Sequence, residues 1–399
     1  MTKESLAING GTPVRENRIG YGRQWIEEDD IEAVCRVLRS DSLTCGPNVT
    51  ALEKALCDYT GAKYGVAVSN GTAALHCACI AAGLKPGDEL ITTPITFAAS
   101  ANCALYCGAK VVFADIDPEN YNIDPKSIEA KITEKTRAVV AVDFTGQPVD
   151  TEAIREICDK HNLIFIEDAA HSIGSSRNGK MVGSIADITT FSFHPVKTIT
   201  GGEGGAVMTN DAELYKRIVL AHAHGITRDP SIMEEEHDGP WYYEQVSLGY
   251  NYRLTDIQSV LILSQLGKIE RFKARRMEIV KRYNEELSKV PGIIIQKDLP
   301  GNDTCRHLYI IRLDLEKFEA GRTQIFNALV AEGIGCQIHY VPTYYFPHYK
   351  RLGHVKGECP VAEEIYEGII SIPLFPKMTD DDVTDVITAI RKVTGAYLK

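Results

Sequence analysis

The chain has no run of about 20 apolar residues, so no helix is expected to cross a bilayer. Its opening, MTKESLAINGGTPVRENR, has no apolar core of the kind a secretory signal needs. A disulfide framework is also missing: the 11 cysteines are odd in number and their spacings do not repeat. These absences point to a reducing, cytoplasmic setting. Positive charge is in deficit, with 43 Lys and Arg against 54 Asp and Glu and a formal net charge of −11. Such a surface repels nucleic acid and anionic membrane, and neither is expected as a partner. Cys77 with Cys79, and Cys103 with Cys107, have spacings that could ligate metal. Both pairs sit in Ala-rich, helical stretches with no second pair nearby, so helix packing is expected and no metal site. Internal repeats, low-complexity tracts and flexible linkers are absent too.

What is present is an alternation. Over residues 65–210, short apolar runs alternate with helical segments: GVAVSN (65–70), DELITTP (88–94), KVVFADID (110–117), TRAVVAVDF (136–144), LIFIEDAA (163–170), ADITTFSF (186–193) and GGAVMTN (204–210) read as strands. Helices are expected at 71–84, 96–109, 125–134 and 151–161. Near-continuous apolar strands followed by helices predict an α/β fold with a mostly parallel, seven-stranded sheet covered on both faces. Beyond 210 the pattern is helical at 211–222 and, as one long charged helix, at 254–291. Strands at 293–298, 307–315 and 335–341, with helices at 322–333 and 379–395, predict a smaller C-terminal α/β unit. A length of 399 residues fits this division. The expected organisation is an arm over 1–25, a large domain over 26–270 and a small domain over 271–399. The polar, aromatic stretch 229–245 reads as a loop that could cover a site.

Ligands in such sheets collect beyond the strand carboxyl ends, and three of these ends carry chemistry. In SNGTAAL a strand stops and Gly71–Thr72 opens a helix, whose first N–H groups and dipole favour an anion. The alternative is a plain N-cap by Asn70 or Thr72. In FIEDAAHSIG, Asp168 ends an apolar strand, either as a cap or as a placed carboxylate. Alternation along the strand favours Asp168 over Glu167, and His171 could sit over a flat ligand or hold the carboxylate. In FSFHPVKTITGGEGGAV, Ser192 lies near a strand end and Lys197 on the following loop. A desolvated lysine has a lowered pKa and can act as a neutral nucleophile. The glycines at 201, 202, 204 and 205 do not open a helix after a first strand, so they are no dinucleotide fingerprint. An anion cradle, a strand-end carboxylate and a crevice lysine are together what pyridoxal 5′-phosphate requires for its phosphate, its ring nitrogen and its aldehyde. Phe97, in PITFAAS, either stacks on that ring or packs in the core.

The blocks NGTAAL, TPITFAAS, EDAAH, FSFHPVKTITGGEGGA, LGYNYRLTDIQ and GCQIHYVP, in this order, resemble the DegT/DnrJ/StrS family of sugar-nucleotide aminotransferases from about Tyr21 to Pro376. The resemblance implies the pyridoxal-phosphate-dependent transferase fold type I, of the aspartate aminotransferase kind, and a homodimer with its sites at the interface. It implies Lys197 as the Schiff-base lysine, Asp168 as the partner of the ring nitrogen and Phe97 as the stacking aromatic. Gly71, Thr72 and Ser192 correspond to phosphate ligands, His171 to a cofactor-side residue and Asn251 to an asparagine reaching the phosphate from the neighbouring subunit. His339 and Tyr340, and Tyr21 from the N-terminal arm, would flank the sugar nucleotide. Some members carry histidine in place of the lysine and act as dehydratases; Lys197 favours transamination, with pyridoxamine 5′-phosphate as the alternate cofactor form. YGRQWI, VDFTGQPVD and HPVKTIT look most like the pseudaminic acid branch. That branch implies a UDP-linked 4-keto-6-deoxy-N-acetyl sugar as acceptor and L-glutamate as donor. Other nucleotides, and amination at C3, stay open, as does a regulatory protein that binds the cofactor without turnover.

Overall fold

The computed structural model describes residues 2–236 and 239–399. Its centre is a seven-stranded sheet built from β1 (Tyr64–Val68), β2 (Glu89–Thr92), β3 (Lys110–Phe113), β4 (Thr136–Val142), β5 (Ile164–Asp168), β6 (Ile188–Ser192) and β7 (Gly205–Thr209). The spatial order is β1-β7-β6-β5-β4-β2-β3. β7 runs antiparallel to both neighbours, and every other pair is parallel. In β4 every residue except Arg137 is buried, as expected of a strand covered on both faces.

The helices α2 (Pro47–Thr60), α3 (Gly71–Ala81), α4 (Ala99–Tyr106), α5 (Pro125–Lys131), α6 (Thr151–His161), α7 (Ala212–His222) and α8 (Asp256–Leu266) cover this sheet, and α1 (Glu28–Leu38) packs on α8. Local chemistry sets their ends. The Asp150 side chain caps α6 by accepting from Ala153 N at 3.3 Å, and Asn162 closes it in the left-handed region at φ 53°. The cysteines Cys77, Cys79 and Cys103 are buried free thiols on α3 and α4, and no metal-holding cluster occurs among the described residues.

A second core lies around α9 (Ile269–Leu287), β8 (Ile293–Ile295), β9 (Tyr309–Leu313), α10 (Arg322–Ala331), β10 (Ile369–Ile372) and α13 (Asp380–Tyr397), with α11 (Pro347–Arg351) and α12 (Pro360–Gly368) between α10 and β10. The N-terminal segment returns to this core. Leu6 is buried in it, and Ile19 bridges to Ile334.

Three expectations are corrected. The stretch 254–291 is two helices, because Gly267 weakens the helix and Lys268 turns to Asp29 (2.5 Å) and Asp30 (2.9 Å). Residues 335–341 form no strand. Gln337 makes one isolated bridge to Ser371, and the chain then leaves the sheet, carrying His339 and Tyr340 towards the large sheet. β10 takes the third place instead, antiparallel to β9. Within 229–245, Glu244–Gln245 pairs with Ile226–Thr227 as a short ribbon, and residues 237–238 lie outside the described set. No helix among the described residues is long and apolar enough to cross a membrane.

One buried carboxylate ties α8 to α2. Asp256 accepts from Gly46 N (2.7 Å), Asn48 N (2.9 Å) and Asn48 Nδ2 (3.0 Å), satisfying the orphan donors at the start of α2. Asp256→Ala strands these donors and is expected to lower stability by about 2 kcal/mol. The check is a lower urea midpoint at unchanged slope; a variant as stable as its parent contradicts the assignment.

Candidate active site

The carboxyl ends of β1, β5 and β6 open into a cavity of about 860 Å³. Ten of the residues singled out from the sequence line it: Tyr21, Gly71, Thr72, Phe97, Asp168, His171, Ser192, Lys197, His339 and Tyr340. Asn251 does not. It sits between Tyr250 and Tyr252, which line the cavity and stack on each other at 5.1 Å, so alternation turns its side chain outward and leaves it exposed.

The anion end is made by close backbone approach. Gly205 pairs with Val68 on one side and Ser192 on the other, which brings the start of α3 against β6. A Cβ at Gly71 would stand 2.8 Å from Ser192 Cβ, and one at Gly205 would stand 2.5 Å from the Asn70 carbonyl oxygen. Only residues without side chains fit there. Asn70 Oδ1 accepts from Ala73 N at 2.8 Å, capping the helix. The N–H groups of Gly71 and Thr72 have no partner among the described residues. The cap and the anion cradle therefore coexist: Asn70 satisfies a later donor and leaves the first two free beside the Ser192 hydroxyl.

The carboxylate is held from behind. Asp168 is buried; its Oδ2 accepts from Ser100 Oγ at 2.6 Å and its Oδ1 from Ala170 N at 3.2 Å. Ser100 Oγ in turn lies 2.7 Å from Oγ1 of Thr96, in the turn that leads into α4. Burial pushes the Asp168 carboxyl above its ordinary range, while Ser100, Ala170 and the Lys197 charge pull it back. A cationic ring N–H beside it would offset the same desolvation, so the site fits a protonated pyridine nitrogen. Glu167 points to the other face, against Thr189 Oγ1 at 3.0 Å, and burial pushes it up to about 7.

Lys197 lies on the loop after β6. Burial pushes its amine down to about 8, against the opposing pull of Asp168. Around it stand three imidazoles. Burial and the Lys197 charge hold His171 well below its ordinary value and push His339 down to about 4. His307 is held low by burial, His171 and Lys197. His339 Nδ1 meets Ser371 Oγ at 2.8 Å, and the Tyr21 ring lies 5.1 Å from the His339 ring. Phe97 is 62% exposed, an aromatic face open to the cavity rather than a core residue.

Sequence reasoning missed several of these residues. Thr96 and Ser100 were legible only as helix positions four apart, and His307 only as a polar residue ahead of the apolar run LYIIRL. His76, Tyr106, Tyr250 and Tyr252 form an aromatic wall, with His76 Nδ1 3.1 Å from Tyr252 Oη. They come from three separate segments, and no spacing joins them.

Two measurements follow. In cofactor-free protein, acylation of Lys197 by a limiting anhydride, read by peptide mass spectrometry, is expected to rise with pH through a midpoint of about 8 and level off roughly one unit higher. Surface lysines keep rising towards about 10.4, and a Lys197 midpoint above 10 contradicts the assignment. Gly71→Ala forces α3 off Ser192 and is expected to weaken pyridoxal phosphate binding by about tenfold, with the fold intact by circular dichroism. Unchanged affinity removes the cradle from the site.

Against known proteins, residues 24–391 match the model of the DegT/DnrJ/EryC1/StrS aminotransferase family. A UDP-4-amino-4,6-dideoxy-N-acetyl-beta-L-altrosamine transaminase of Campylobacter jejuni is 39% identical over 95% of this chain and 99% of its own length. The solved structure of Helicobacter pylori PseC, an aminotransferase of pseudoaminic acid biosynthesis, superposes with a TM-score of 0.88 at 33% identity, covering 96% of this chain and all of that one. The candidate sugar aminotransferase Spr1654 of Streptococcus pneumoniae superposes with a TM-score of 0.88 at 30% identity in both forms. Its PLP form covers 96% of this chain and 100% of its own, and its PMP form 94% and 99%. With the match spanning nearly the whole chain and the fold shared throughout, this protein belongs to the DegT/DnrJ/EryC1/StrS aminotransferase family.

Proposed function

We propose that the protein moves an amino group from L-glutamate to the C4 ketone of a UDP-linked 4-keto-6-deoxy-N-acetylhexosamine, with pyridoxal 5′-phosphate as cofactor. The observation that carries this reading is the meeting of Lys197, Asp168 and the free N–H groups of Gly71 and Thr72 in one cavity. The sugar class rests on the Campylobacter and Helicobacter relatives. Residues 26–270 would hold the cofactor and residues 271–399, with the arm 1–25, would bring Tyr21, His339 and Tyr340 to the sugar. A second copy of the chain would complete the site, with its Asn251 at the phosphate; exposure of that side chain supports this.

Gly71, Thr72 and Ser192 would hold the phosphate. Phe97 would cover one ring face, with His171 at the cofactor's side, and Asp168 would keep a negative charge beside the ring nitrogen. When bound, the cofactor supplies a carbonyl carbon for the amine and a ring that takes up electrons from the donor's α-carbon. Lys197 does the proton work. Its Nζ, neutral in an appreciable fraction near pH 7, takes the proton from the donor's α-carbon in the first half-reaction and returns a proton to the sugar's C4 in the second. One base for two substrates implies ping-pong kinetics. The lysine at 197 favours amination over deoxygenation.

Incubation with glutamate and a panel of UDP- and dTDP-linked 3-keto and 4-keto sugars, analysed by mass and NMR, tests the reading. The expected product is the 4-amino UDP sugar, with 2-oxoglutarate formed one for one, and Lys197→Ala should abolish it. Turnover by that variant at the parent rate, or amination at C3 alone, would overturn the assignment.

A further inference from the structure

Two buried nitrogens at the foot of the cavity have no hydrogen-bond partner among the described residues: His171 Nδ1 and His307 Nδ1. The rings to which they belong are neighbours, 4.6 Å between centroids, and both line the cavity while remaining nine-tenths buried. A polar atom left unpaired in such a place is unusual and calls for a role. His171 reaches the cavity through its other nitrogen, which stands 3.3 Å from the Tyr340 hydroxyl. The Phe144 ring, 6.5 Å from the His171 ring and 6.4 Å from that of Tyr340, is apolar.

Each neutral imidazole must place its single proton on one of two nitrogens. A proton on Nδ1 would bury an N–H with nothing to receive it. The surrounding charge argues the same way. The Lys197 charge bears on both rings, and the Arg276 charge on His307. Arg276 is itself buried, and its guanidinium donates to the carbonyls of Arg306, His307 and Leu374, with no carboxylate opposite. Positive potential suits a bare lone pair and repels an N–H. Both rings therefore carry the proton on Nε2. His171 Nε2–H donates to Tyr340, and the Tyr340 hydrogen, no longer needed for that bond, is free to point into the cavity. Burial raises the Tyr340 phenol well above its ordinary value, so it stays protonated and can only lend that hydrogen as a bond.

His307 is held in place for this. Its backbone N–H donates to Thr145 O at 2.8 Å, and Thr145 sits in the left-handed region at φ 63°, braced by Gln296 at 2.9 Å and by Arg306. Among the described residues lining the cavity, Lys197 is the sole Lys or Arg, so substrate oxygens there must be met largely by neutral donors.

We propose that His307 is a positioning residue which, through His171, fixes the direction of the Tyr340 hydroxyl so that it donates a hydrogen bond to a substrate oxygen beside the carbon that Lys197 serves. This rests on the aminotransferase reading for the substrate and stands without it for the proton positions. Those are read directly in full-length protein, as purified, carrying 15N-labelled histidine. Long-range 1H–15N spectra, assigned with His171→Phe and with His307→Phe or His307→Gln, are expected to show Nε2–H and bare Nδ1 for both rings, unchanged from pH 8 to pH 6. A proton on either Nδ1, or titration of either ring near 6.5, overturns the proposal whether or not any sugar is aminated.

In the transaminase assay, His307→Phe keeps a ring against His171 and is expected to lower kcat by about tenfold, the worth of one aligned hydrogen bond, with cofactor affinity unchanged. The double variant His307→Phe/Tyr340→Phe should be no slower than Tyr340→Phe alone, since both act through one hydroxyl. Fully additive losses overturn the proposal. Single-turnover spectra with glutamate and with the keto sugar, taken separately, tell which substrate's oxygen receives the bond. A His307→Phe defect in neither half-reaction overturns the proposal.

Discussion

The close approach of the start of α3 to the edge of β6 is the contact on which the cavity depends. It exists because Gly71 and Gly205 present no side chain where the Ser192 Cβ and the Asn70 carbonyl stand. The antiparallel insertion of β7 makes the approach possible: its first residue pairs with the ends of both β1 and β6, drawing three strand ends into one rim. An anion cradle, a strand-end carboxylate and a loop lysine then face the same space, although they lie some 125 residues apart in the chain.

Once these groups share a cavity, desolvation organises their chemistry. It moves the Lys197 amine down to about 8 and lifts the Asp168 carboxyl above its ordinary range, while the attraction between the two opposes both shifts. The same burial keeps the imidazoles of His171, His307 and His339 neutral beside the lysine. A wall of neutral donors next to a single titrating amine allows that amine to change its charge without competition from a second cation.

The small unit contributes by departing from regularity. An apolar stretch such as GCQIHYV has the composition of a strand, and the Gln337–Ser371 bridge is the remnant of one. Beyond it the chain turns out of the sheet and carries His339 and Tyr340 to the cavity, while Ile369–Ile372 takes the vacant edge. The preference of β10 for that place is one of packing: all four of its residues are buried against β9, whereas Gln337 is exposed.

Much of this was legible beforehand. Alternating apolar runs specified seven strands in the large sheet because each strand must be buried on both faces, and the bounds 151–161 expected for α6 match its ends, which local capping by Asp150 and Asn162 sets. Lys197, Asp168, Gly71 and Thr72 could be singled out because strand ends are where a parallel sheet exposes its backbone dipoles and loops. The break at Gly267–Lys268 could not, since it is decided by carboxylates on α1 more than 200 residues away. Nor could the Ser100 brace of Asp168, or the pairing of His171 with His307. By itself the sequence determined the seven strands of the large sheet, most of the helices and which residues bear the chemistry, because those follow from periodicity and local bonding. Only the tertiary structure decided what each reactive group faces, and so its charge state, because desolvation and proton direction depend on atoms that the chain brings together from afar.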